Sequence, residues 1–183
     1  MYNIGKLFNM LDIITKKHSI HVANLVKGFT KELNMYSLDL YIGALLHDIG
    51  KLYVPKSILL KKEKLTKEEM DTIKLHPEYG EEIIKNSIYK DNKVILNMIK
   101  YHHLKYNGLG SYPKSYLEYD FIPLEARILS ICDSYDAMTQ NRGYNKVISK
   151  EEAIKRLLKD KGTKFDPSLV DKFIVFLNKK KAS

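Results

Sequence analysis

Five of the six histidines in this 183-residue chain form one ordered series with two aspartates: His18, His47-Asp48, His76, His102-His103 and Asp133. The steps are about 30 residues, close to the length of a helix plus its connection. Apolar packing has no use for such a spacing. A helical bundle that brings one or two ligands per helix to one interior cavity does produce it. The series thus predicts helices converging on a polar centre, and its chemistry points to metal-assisted hydrolysis.

Apolar periodicity agrees with an all-α fold. Ile4, Leu7, Phe8, Leu11 and Ile14 follow helical steps in one segment, and Val22, Leu25, Val26, Phe29 and Leu33 do so in the next. Ser37 is placed to cap a third helix running towards His47, which Gly50 and Pro55 end. Thr66 with Glu69 and Ser149 with Glu152 have capping-box spacing. Asp91 is expected to cap a helix ending at His102-His103; another runs from about Pro123 to Thr139, and Asp166-Pro167 opens the last. No segment reads as a strand. Residues 52–65 and 104–122 lack helical periodicity, and the second, following directly on the histidine pair, reads as a substrate loop. The expectation is one domain over residues 1–183, a bundle of about seven to eight helices with a metal site in its core.

Composition narrows the partners. No apolar run approaches the roughly 20 residues of a membrane helix and the first residues lack a signal peptide's cleavage site, so a cytoplasmic protein without a membrane role is expected. Cys132 is alone and lies in the apolar run ILSIC, which suits a buried side chain rather than a reactive thiol. The formal charge of +9 is spread over loops and helix ends, as at Lys61-Lys62 and Lys179-Lys180-Lys181. That distribution favours a small anionic substrate over polymeric nucleic acid. Regulatory input is expected from a separate sensor protein, and a homodimer is compatible with the sequence.

Imidazoles and carboxylates without cysteine suit iron, manganese, zinc or nickel better than calcium. Seven candidate side chains exceed the three or four protein ligands of a typical single zinc site, and an aspartate can span two ions with its two oxygens. Two divalent metals are therefore expected, iron or manganese foremost, with zinc, nickel or magnesium as alternatives. His21 stands outside the pattern; three residues after His18, it can support the site from behind or simply face solvent.

His47-Asp48-Ile49-Gly50-Lys51 resembles the HD motif of the HD phosphohydrolases, and the wider series is similar to their HD-GYP subgroup, which hydrolyses cyclic di-GMP. The resemblance runs from His18 to the last helix through LHDIGKLYVPKSIL, His76-Pro77-x-x-Gly80, the His102-His103 block, IPLEARILSICDSYDAMT and GTKFDPSLV. It implies that His18, His47, Asp48 and Asp133 hold one metal, that Asp48, His76, His102 and His103 hold the other, and that Asp48 bridges them. It further implies attack on phosphorus by a hydroxide held between the metals. Lys51 would contact a phosphate oxygen, and Asp136, Arg142 and Tyr112 would lie around the substrate; for Asp136 and Arg142 an ordinary helix-end salt bridge is the competing reading.

Several positions depart from the subgroup. Its HHE-x-x-DGxGYP signature corresponds here to residues 102–113, with Leu104 for Glu, Asn107 for Asp and Ser111 inserted before Tyr112-Pro113. Ile14 stands where some members place a glutamate for a third metal, Arg142-Gly143-Tyr144 replaces Arg-Pro-Tyr, and Asn145 stands at a position that can be basic. The ligands are intact and the loop is altered. The resemblance therefore implies a binuclear phosphodiesterase for a cyclic dinucleotide, with another phosphoester or a non-catalytic signalling role as the alternatives.

Overall fold

The structure, a computed structural model, describes residues 1–112, 122–141 and 147–179. Among them the chain is helical, with no strand beyond two isolated bridges. Helix α1 (Ile4–Met10) is capped by Asn3 and stops at Leu11. Asp12 then starts α2 (Ile13–Glu32), its carboxylate accepting from the Ile14 and Thr15 amides and from the Thr15 hydroxyl. Ile14 therefore belongs to the second helix, because a cap interrupts an apolar pattern that reads as continuous.

Ser37 caps α3 (Leu38–Leu46), which ends before Gly50 is reached; a 3-10 turn follows (Ile49–Tyr53). The stretch 52–65 also holds the short helix α4 (Lys56–Leu59). Helices α5 (Lys67–Ile73), opened by the Thr66–Glu69 capping box, and α6 (His76–Lys85) come next. Helix α7 (Lys93–Tyr101) is capped by Asn92 rather than Asp91, since the Asn92 side chain is the one that reaches the Ile95 amide. Helices α8 (Leu124–Thr139), α9 (Lys150–Lys159, capped by Ser149) and α10 (Pro167–Lys179) complete the bundle. Short segments such as α4, four residues long, take the number of helices above the seven to eight expected.

The main core lies between α2, α3, α8 and α10, where Phe29, Phe173 and Phe176 pack edge-on and tilted with centroids 5.0–5.7 Å apart. Cys132 is fully buried there. A second contact positions the site. A Cβ on Gly50 would lie 1.9 Å from the His76 carbonyl oxygen and 2.4 Å from the Gly80 nitrogen, and one on Gly80 would lie 2.7 Å from Ile99. Glycine at both positions lets the backbone after His47-Asp48 lie directly on the first turn of α6, and α6 lie on α7. No helix among the described residues is long and apolar enough to cross a membrane.

Candidate metal centre

The ends of helices aim three of the histidines. The last turn of a helix leaves carbonyls without an amide partner. His47, just beyond α3, donates Nδ1–H to the Ala44 carbonyl at 2.8 Å; His102, just beyond α7, donates to Ile99 at 2.9 Å and Met98 at 3.1 Å. His76, three residues after α5 ends at Ile73, donates to the Ile73 carbonyl at 2.8 Å. A carbonyl only accepts, so Nδ1 carries the proton and the Nε2 lone pair of each neutral ring points away from its helix. His18 differs, because it projects from the middle of α2 and its Nδ1 meets a carboxylate, Asp136 Oδ2, at 2.6 Å.

The nitrogens converge with two carboxylates. His18, His47 and Asp133 bring ligand atoms within 4.8 Å of one another, as do His76, His102 and His103. Asp48 stands between the groups. Its Oδ2 is 3.4 Å from His47 Nε2 and 3.7 Å from His18 Nε2, while its Oδ1 is 3.3 Å from His76 Nε2. Asp48 can take this place because it follows α3 with φ −97° and ψ 9°, outside the helix, so it need not diverge from His47 as a helical neighbour would.

Burial holds the His76 ring neutral, its pKa brought down to about 4, and does the same to His102, at about 3; His103 is also well below the ordinary imidazole value, again through burial. Burial pushes the carboxyls of Asp48 and Asp133 up, but Lys51 and His47 overcome this at Asp48, and His18 and His47 at Asp133, so both stay ionised. For His18 burial works downward, and the hydrogen bonds from Asp133 and Asp136 outweigh it and raise the pKa. One contact tests whether this donor set fits a cation. His76 Nε2 and His102 Nε2 face each other at 3.4 Å, both buried and both in the acceptor form, an arrangement the protein alone leaves unsatisfied. A divalent cation shared by those lone pairs resolves it, and imidazole with carboxylate is the donor set such cations take.

The remaining expected residues fall as follows. Lys51 Nζ lies 2.7 Å from Asp48 Oδ2. The Tyr112 ring stacks on His103 with centroids 4.4 Å apart. Asp136, expected beside the substrate, is instead buried behind His18, because its Oδ2 is engaged by the ring it orients; its Oδ1 is 3.7 Å from His21, whose ring is half exposed. Arg142 lies outside the described residues. The loop changes have local causes: Leu104 is buried with Ile122 and Ala126, and Ser111 Oγ accepts the Lys105 amide at 2.7 Å. A cleft of about 980 Å³ opens beside Asp133, His103 and Tyr112 and continues to Lys155, Lys159 and Lys164, none of which the sequence pattern singled out. The four-residue step from Lys155 to Lys159 on a capped helix was the available signal.

Residues 6–169 match the sequence profile of the HD domain. The chain belongs to the HD-domain family. Among the relatives of this HD-domain chain is a Xanthomonas campestris pv. campestris protein named cyclic di-GMP phosphodiesterase response regulator RpfG, 38% identical over 82% of this chain and 39% of that protein. A Vibrio cholerae protein named 3'3'-cGAMP-specific phosphodiesterase 2 is 32% identical over 93% of this chain and 38% of its own length. The chain thus spans about two fifths of these relatives. A solved structure described as Bd1817, an HDG"Y"P protein from Bdellovibrio bacteriovorus, shares the fold with a TM-score of 0.70 at 22% identity, over 90% of this chain and 52% of the other.

Proposed function

We propose that this HD-domain chain is a phosphodiesterase that opens a cyclic dinucleotide, cyclic di-GMP foremost, to its linear form, using two divalent metals, iron or manganese. The position of Asp48 carries the reading: its two oxygens face two separate groups of histidine nitrogens, as a bridge between two ions requires. The names of the relatives supply the substrate class.

His18, His47, Asp48 and Asp133 would hold one metal, and Asp48, His76, His102 and His103 the other. When bound, such cations acidify water and neutralise phosphate charge. The reaction adds one water across a P–O3′ bond, leaving a 5′-phosphate and a 3′-hydroxyl. The residues of the chain prepare it. Ionised Asp48 and Asp133 bring negative charge to the donor cluster, and Asp136 fixes the tautomer and angle of His18. Lys51 is partly exposed, so its ammonium can turn from Asp48 to a non-bridging phosphate oxygen. Tyr112, against His103, walls the mouth of the site towards the cleft.

The test is chromatographic product analysis after protein purified without oxygen and loaded with iron(II) or manganese(II) is incubated with cyclic dinucleotides. Linear product that disappears in Asp48→Ala, together with loss of metal stoichiometry, is expected. Intact substrate throughout, or unchanged turnover in that variant, overturns the reading.

A further inference from the structure

The wall of the cleft opposite the histidines is α9. Ala153 and Leu157 turn its apolar stripe to the core, which leaves Lys155 and Lys159, four residues apart, on one exposed face along the cleft. Lys164, in the turn before α10, completes the group. It is held in place, its ammonium donating to Ser134 Oγ at 3.0 Å and lying 4.9 Å from the centre of the Phe165 ring. Three carboxylates share the lining, Asp133, Glu152 and Asp160, and two are already engaged: Arg156 lies 3.5 Å from Glu152, and His18 3.0 Å from Asp133. Among the described residues no ion pair engages Lys155 or Lys159.

We propose that Lys155, Lys159 and Lys164 form a second phosphate subsite, which holds the phosphate of a cyclic dinucleotide that is not being cleaved. The proposal rests on the substrate class inferred above and adds how the chain distinguishes a molecule with two phosphates from a simple phosphodiester. A cyclic dinucleotide carries two phosphodiesters on a closed ring, so placing one at the Asp48 centre leaves the other to be neutralised a short way off. The cleft is continuous with that centre through Asp133 and His103, and about 980 Å³ is at the upper end of the ~300–1,000 Å³ found for small-molecule sites. Lysine suits the task, because a mobile point charge follows a phosphate through binding and release where a rigid fork would fix it. Three cations along one wall also raise the local concentration of an anionic substrate.

The test compares wild type with the Lys155→Glu/Lys159→Glu variant on a cyclic dinucleotide and on bis(p-nitrophenyl) phosphate, which has one phosphate. Both lysines are exposed, so the fold should tolerate the change; Lys155→Gln/Lys159→Gln gives the same comparison without charge reversal. The expected result is a selectivity ratio, cyclic dinucleotide over single ester, that falls by about tenfold or more and does so through KM, with a weaker dependence of KM on salt. A ratio within about twofold of wild type overturns the subsite. Fluorescence anisotropy with a labelled cyclic dinucleotide separates this from failure of the enzymatic reading. If wild type hydrolyses neither substrate but binds the label, and the variant binds it about tenfold more weakly, the subsite stands and the reaction falls. Equal binding by both proteins, or none by wild type, removes the subsite.

Discussion

Replacing the carboxylate behind His18 should loosen metal binding while leaving the bundle intact. Asp136 accepts from His18 Nδ1 at 2.6 Å and is 2% exposed, so the bond is charge-assisted and weakly screened. Bonds of that kind contribute ~1.5–3 kcal/mol, against ~0.5–1.5 for neutral pairs. Asp136→Asn keeps the shape and an acceptor oxygen, and should give up about 1 kcal/mol, a five- to tenfold loss of affinity. Asp136→Ala removes the bond and leaves the ring free to turn away from Asp133, so about 2–3 kcal/mol is at stake, consistent with the roughly 10–100-fold cost of losing a partner that orients a metal-bound histidine. The assay is competition for manganese(II) between metal-depleted protein and a chromophoric chelator, with unfolding followed in parallel. If Asp136→Ala binds within twofold of wild type, the orienting role is refuted; if the Asn and Ala variants are equally weak, the charge of Asp136 rather than its reach is decisive.

Two further outcomes follow from the same geometry. Gly50→Ala should destabilise the protein by about 3 kcal/mol or more, since the new Cβ meets backbone atoms that no rotamer change can move; chemical denaturation measures it, and a loss under about 1 kcal/mol would contradict the contact. Metal-depleted protein should weaken in acid. His76 and His102, brought down to about 4 and about 3, refuse protons that the unfolded chain accepts below its ordinary ~6.5, so their neutral forms cost nothing above that pH and stability falls as pH drops from 6.5 towards 4. His76 alone accounts for about 3 kcal/mol of this, and His18, raised rather than lowered, gives the opposite slope above 6.5. Melting temperatures of the chelated protein across that range check the sign.

The donor set was legible because its residue types are scarce and their spacing matches helix lengths: all seven sequence-selected ligands meet in one interior cluster. Orientation was harder to read. Nothing in the string says that Asp136 faces His18, although the three-residue step from Asp133 placed both on neighbouring faces of α8. The break at Asp12 and the cap at Asn92 escaped because a cap is settled by which side chain reaches an amide, and neighbouring polar residues compete for it. The lysines of α9 stayed hidden because in sequence they resemble any solvated helix face; only the fold sets them across a cleft from Asp133.

The contact of Gly50 with the His76 carbonyl makes the distance between the two halves of the centre a property of the main chain. Side-chain substitutions can retune how strongly each half holds an ion, but the gauge between the halves changes only if α6 moves as a body against the turn after Asp48. The lining of the cleft has no such restraint, since its basic residues are exposed tips on α9 and a loop. Variation in this molecule is therefore cheap where substrates are told apart and mechanically forbidden where the ions are spaced.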